Sequence, residues 1–305
     1  MREVFIESLL HEAREDKDIV LITGDLGYGI LDQFRAELPA QFINSGVNEQ
    51  SMMGMAAGIA STGKKVFVYS IGNFSTLRCL EQIRNDVCLM NNPVVIVSVG
   101  AGYAYGAQGY THHALEDIAV MRALPNIEVV SPADSYETSH LTKMLCKLSI
   151  PSYFRLGKSK SPKIHTSKPS INFGDLVSVF DGVDANILFT GSVGTLAIEA
   201  RQYLWQQGID VGVISVPFLS SINPQQLSNL ASNGPIVTLE DHSSRGGLGG
   251  AVLETLASLS IYTKISCVAS NQINLSLVGD EDYLRAHNGI CVEEISSRVM
   301  SLMAD

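Results

Sequence analysis

With 305 residues, 46% of them hydrophobic and 17% charged, the chain has the apolar content to bury large cores and is unlike a disordered or solvating tether. A formal net charge of −10 disfavours nucleic acid and anionic membrane surfaces as partners, so an anionic substrate must be met by a few local cations. Five cysteines, odd in number and without a paired zinc or redox spacing, argue against a disulfide framework and point to a reduced, cytoplasmic compartment.

Arg2 to Asp16 sets Phe5, Leu9 and Ala13 at helical spacing with acids between them, which reads as the first helix of the fold and is unlike a signal peptide. Strands are predicted at Ile19 to Ile22, Val66 to Tyr69, Val94 to Val99, Ile127 to Val130 and Tyr153 to Leu156, with helical periods between them. Apolar runs such as Pro93 to Val99 are too short to span a bilayer. Lys158 to Ser170 mixes Lys, Ser and Pro without an apolar period, the composition of an exposed linker. The alternation resumes with strands at Ile187 to Thr190, Val211 to Val216, Ile236 to Leu239 and Ile265 to Val268, and helices near Gly194 to Gln207 and Gly249 to Leu259. The fold class is therefore α/β, two tandem open domains with a mainly parallel sheet in the first. The domains are placed at 1–157 and 173–305, joined by a linker at 158–172.

Ligands of open parallel sheets sit outside the carboxyl ends of the strands, and the informative segments lie there. They are TGDLG at Thr23, NSGVNEQ at Asn44, SIGNF at Ser70, GAGYAYGAQGYTHH at Gly100 and RLGK at Arg155. Each has an ordinary reading. Glu49 suits a helix N-terminus through the macrodipole, Phe74 after a strand suits a core, Asp25 suits a Gly turn, and Lys158 suits a solvated linker. His112 and His113 are adjacent and so point to different sides, which disfavours a metal centre built from the pair. Gly54 and Gly58, with Ala56 and Ala57, let the helix after Glu49 pack closely on a neighbour.

Asn44, Gly46, Val47, Glu49, Gln50 and Met52 match the N-x-G-[IV]-x-E-[QH]-x-M segment of transketolase-type thiamine diphosphate enzymes, and Thr111 to Asp134 resembles that family almost throughout. The resemblance implies that Glu49 hydrogen-bonds a ring nitrogen of the cofactor's aminopyrimidine and drives it toward the imino tautomer that deprotonates the thiazolium carbon. A carboxyl does this only where an apolar pocket holds its proton near neutrality, and Val47 with the Met-rich helix start is expected to form that pocket. Phe74 resembles the ring that stacks on the aminopyrimidine, with Arg78, Glu81, Gln82, Ile83 and Arg84 matching around it. Asp25 resembles an acidic position facing the cofactor, although the turn reading stays open.

The resemblance makes His112 the histidine that contacts the donor near its reacting carbon, with Arg78 and Lys158 as further substrate contacts. Gln108 stands where the family's G-x-D-G-x-T-H pattern has an Asp, while Gly100 and Ala101 stand where relatives carry a His or Arg, which removes a cation and widens the pocket. In the second domain, TLEDHSSRGGLGGAV resembles the family's E-[DE]-H-x-x-x-GGLG segment, read as glycines for a tight loop and close helix packing.

The family's diphosphate motif, G-D-G followed by Asn, is missing: the chain has GDL at Gly24 and GDE at Gly279. The expectation is a split enzyme whose N-terminal-section partner carries that motif and the ligands of Mg2+ or Ca2+, assembled as α2β2. The implied reaction moves a two-carbon ketol unit from a ketose to an aldehyde. The β subunit of a 2-oxo acid dehydrogenase and a non-catalytic assembly subunit are the alternatives, and Glu49, Phe74 and His112 together argue against the latter.

Overall fold

A computed structural model describes residues 1–158 and 163–304. Phe5, Leu9 and Ala13 of the first helix, Arg2–Glu15, are fully buried, as their spacing predicts. Strands β1 (Ile19–Thr23), β2 (Phe42–Asn44), β3 (Lys65–Ile71), β4 (Val94–Val99), β5 (Glu128–Val130) and β6 (Ser152–Leu156) form one sheet in the order β2-β1-β3-β4-β6-β5. Every pairing in it is parallel. Residues of β1 and β4 are buried along their whole length, which is why they read as nearly continuous apolar runs rather than alternating ones.

The second sheet contains β7 (Val177–Phe180), β8 (Ala185–Thr190), β9 (Val211–Ser215), β10 (Ile236–Ser243) and β11 (Ile265–Ser270), ordered β11-β10-β8-β9-β7. Among these strands only β7 runs antiparallel, against β9. The helices Gly194–Gln206 and Leu248–Ser258 fall within a residue of their predicted limits. Sequence reading omits β2 and β7, both of which are short edge strands with partly exposed residues and therefore carry little apolar signal. Among the described residues no helix is long and apolar enough to cross a membrane.

The described part of the predicted linker is mostly exposed, as its composition implies, but it is anchored at two points. Ile164 and Ile171 are buried, one in the core of the second domain and the other in that of the first. His165 meets Glu137 at 2.8 Å, and its amide donates to Asp134. Two isoleucines are enough to pin a polar stretch down. Residues 159–162 of that linker lie outside the described residues.

Backbone pairing and buried charge join the two domains. The amide of Leu219 donates to Val129 and that of Ser131 to Pro217, so the exposed edge of β5 is covered by second-domain chain. Deeper in, Asp117 accepts from Arg155 Nε at 2.7 Å and from the Tyr153 hydroxyl at 2.6 Å. Arg155 Nη2 also donates to the carbonyl of Asp241, whose carboxylate pairs with Arg285. Burial pushes the Asp117 carboxyl upward, but Arg155 and His242 outweigh that and hold it below its ordinary value. Asp117→Ala strands Arg155 as an unpaired buried cation and is expected to destabilise the fold by about 3–5 kcal/mol, read from denaturant unfolding. A loss below about 1 kcal/mol would show that the pair is solvated or replaced.

The glycine-rich segment of the second domain is structural. Glu240 accepts from the amides of Leu248 and Gly249 at 2.7 and 2.9 Å, capping the helix that begins there. A Cβ at Gly247 would collide with that carboxylate, and one at Gly249 would meet Cys267. The glycines therefore serve close packing.

Candidate active site

The parallel order of the first sheet brings the ends of β1, β2, β3, β4 and β6 to one edge. Glu49 opens the helix Glu49–Ala60 a few residues after β2, where a carboxylate is favoured by the unsatisfied amides and the helix dipole. Its side chain is only 4% exposed, and Oε2 accepts from Arg78 Nη1 at 2.9 Å. Burial, and then the Glu49 charge, push the nearby Cys79 thiol up to about 12. Both Glu49 and Arg78 line a cleft of about 270 Å³. Val47 lines the cleft but is 74% exposed, and Met52 and Met53 of the same helix are buried and do not line it, so the expected apolar pocket is not closed by the described residues.

Phe74 sits in the short helical turn Gly72–Ser75 directly after β3, half-buried rather than part of a core. The Arg78 guanidinium lies 4.1 Å from its ring centroid. The His112 ring approaches Phe74 edge-on with centroids 5.2 Å apart, and Tyr105 lies 6.0 Å from His112 on the far side. Lys158 Nζ lies 4.2 Å from the centre of the Tyr105 ring. Glu49, Arg78, Phe74, His112, Tyr105 and Lys158 thus form one continuous chain of contacts. His113 turns the other way into the interior, where burial pulls its pKa down.

Two predicted site residues stand apart. Asp25 is exposed at a left-handed φ of 57°, bonded to Tyr28 and Asn44, the geometry of a turn. Those two hydrogen bonds, Asn44 first, hold its carboxyl below the usual range. Gln108 lies exposed in the turn Gly106–Gln108, close in sequence to His112 but outside the contact chain. Nor is the pocket widened at Gly100 and Ala101. The Tyr105 ring occupies the place that a Cβ of Gly100 would take, and Ala101 is buried, so an aromatic ring fills the space of a larger residue 100.

The transketolase pyrimidine-binding domain family matches residues 1–163, and the transketolase C-terminal domain family matches residues 174–281. The chain is 35% identical to one of the subunits of the apulose-4-phosphate transketolase of Phocaeicola vulgatus, covering 99% of this chain and 97% of that one. The chain belongs to the transketolase family. A solved split-gene transketolase, captured as an inactive β4 tetramer, superposes with a TM-score of 0.89 at 30% identity, covering 99% of this chain and 97% of that one. A 1-deoxy-D-xylulose-5-phosphate synthase of Acidobacterium capsulatum is 32% identical over 95% of this chain, yet the chain spans only 47% of that protein.

Transketolase-family enzymes use thiamine diphosphate, and the residues present fit its planar pyrimidine. The flat Arg78 guanidinium lies over Phe74 and donates to Glu49, and these are the two contacts that the resemblance implies for the aminopyrimidine. Asn73, unnoticed in the sequence, donates to the carbonyls of Thr111 and His113 and ties the Phe74 turn to the histidine loop. Tyr105 was also missed. Its signal was Gly100, whose φ of 98° and lack of a Cβ leave room for the ring.

Proposed function

We propose that this chain is the C-terminal-section subunit of a split thiamine diphosphate-dependent transferase that moves a two-carbon ketol unit from a ketose donor to an aldehyde acceptor. The observation that carries the reading is the buried Glu49 carboxylate, set at a cleft beside the half-buried ring of Phe74 and within one contact chain of His112. The cofactor, when bound, supplies the nucleophilic carbon that opens the donor at its carbonyl. Glu49 would share a proton with the pyrimidine nitrogen, Phe74 would offer that ring a flat apolar face, and Arg78, which lies between them, would have to give way to it. His112 faces the donor oxygens, and Lys158 with Tyr105 forms a cationic rim for an anionic group.

The same proposal assigns diphosphate and Mg2+ or Ca2+ to an N-terminal-section partner with the G-D-G and Asn motif, in an α2β2 assembly. Supporting it, a Cβ on Gly54 or Gly58 would meet none of the described residues within 4 Å, and Val47 and Met55 beside them are exposed, so this helix offers a close-packing face to another chain. The domain boundary at 158–172 is part of the reading, and it is supported by family matches that stop at 163 and resume at 174. Ketol transfer by the mixed subunits, assayed with apulose 4-phosphate and xylulose 5-phosphate as donors, tests the proposal. A mixture that instead decarboxylates 2-oxo acids, or a partner fully active without this chain, would refute it.

Gln108 sets a prediction about the donor. It replaces an Asp of the family pattern with a neutral amide that donates as well as accepts, which suits a carbonyl, amino or deoxy group, or a differently placed hydroxyl. Wild type is expected to use xylulose 5-phosphate and fructose 6-phosphate poorly, and Gln108→Asp to shift the kcat/KM ratio toward them. Efficient use of xylulose 5-phosphate by wild type, unchanged by the substitution, would contradict this.

A further inference from the structure

Gln272 is held in an unusual backbone conformation by contacts that lead to the proposed donor site. Its φ of 48° lies in the left-handed region, which Asn and Asp tolerate better than Gln. The residue sits just after β11 in the second domain, and its amide donates to the hydroxyl of Ser270, which also bonds the Tyr103 hydroxyl of the first domain. Its side-chain Nε2 donates to Glu116 Oε1 at 2.6 Å. The Tyr110 hydroxyl donates to the same oxygen at 3.1 Å. Tyr110 begins the helical turn that ends at His112, and the His112 amide closes back on Gly109 at 2.9 Å.

The rest of this second-domain segment backs the same loop. The carbonyl of Gly279 would collide with a Cβ on Gly106, and Val278 would lie 3.3 Å from one on Gly109, so there is no slack between the two stretches. The His112 ring projects away from this seam toward Phe74.

We propose that Gln272 is a positioning residue for the donor site: through Glu116 and Tyr110 it fixes the turn that presents His112, so the second domain sets a donor contact in the first. The proposal rests on the functional reading above for the word donor, but the mechanical link stands apart from it. Gln272→Ala removes the link, and Gln272→Lys restores a hydrogen-bond donor to Glu116. Two measurements read the outcome. By hydrogen exchange, the amides of residues 109–113 should open faster in the Ala variant and return toward wild type in the Lys variant, with the helix Glu49–Ala60 unchanged. In the reconstituted enzyme, with whichever of apulose 4-phosphate and xylulose 5-phosphate wild type turns over faster, Gln272→Ala should raise donor KM roughly tenfold while acceptor KM and cofactor affinity hold.

Exchange at 109–113 that is the same in wild type and the Ala variant would overturn the proposal. So would a loss spread equally over donor, acceptor and cofactor, since that marks a merely structural role. If no ketose is turned over by wild type at all, the functional reading fails, and the exchange experiment still decides the positioning claim.

Discussion

Glu49→Gln in the reconstituted enzyme is expected to lower turnover by roughly 10² to 10⁴-fold while the fold and the subunit assembly persist. The amide keeps the shape of the carboxyl, and in the chain without cofactor its oxygen can accept from Arg78 as Glu49 does at 2.9 Å, so the fold has no reason to change. What the amide lacks is an acidic proton that can pass to and from a ring nitrogen near neutral pH. Only 4% of Glu49 is exposed, so water has poor access to replace that service. Circular dichroism and sedimentation should match wild type. Activity within about tenfold of wild type would remove Glu49 from the chemistry.

Partner dependence is the second large effect. This chain sets the Phe74 ring, the buried Glu49 carboxylate and the Lys158 ammonium in one chain of contacts, but its GDL and GDE sequences do not reproduce the diphosphate motif. Calorimetry should therefore find little heat when thiamine diphosphate and magnesium are titrated into the single chain. With the N-terminal-section subunit added, binding should become tight and magnesium-dependent, and ketol transfer should appear with it. Tight, magnesium-dependent binding by this chain alone would mean that its own residues hold the diphosphate. The split-gene relative captured as an inactive β4 tetramer is in keeping with the expected result.

Much of this site was legible in the sequence because a parallel sheet places each chemical residue just beyond a strand. Glu49, Phe74 and His112 follow β2, β3 and β4 in turn, and the first helix announces itself through Phe5, Leu9 and Ala13. What stayed hidden depends on pairings that no local pattern encodes. Arg78 meets Glu49 across 29 positions, and Gln272 meets Glu116 across 156. Tyr105 filling the space over Gly100 reverses the expectation of a widened pocket, because an absent Cβ marks close approach as readily as a void. The linker reads as exposed and mostly is, but its polar composition does not reveal the two isoleucines buried within it. Val47 reads as a pocket wall by its apolar character, yet it is exposed because none of the described residues covers it.

Cofactor activation by Glu49 is tested most directly by proton–deuterium exchange at the thiazolium carbon of the cofactor bound in the reconstituted complex, followed by quenched-flow NMR. Exchange should be rapid in wild type and slowed by roughly 10²-fold or more in Glu49→Gln, with cofactor affinity little changed. Equal exchange rates in the two proteins would contradict that role.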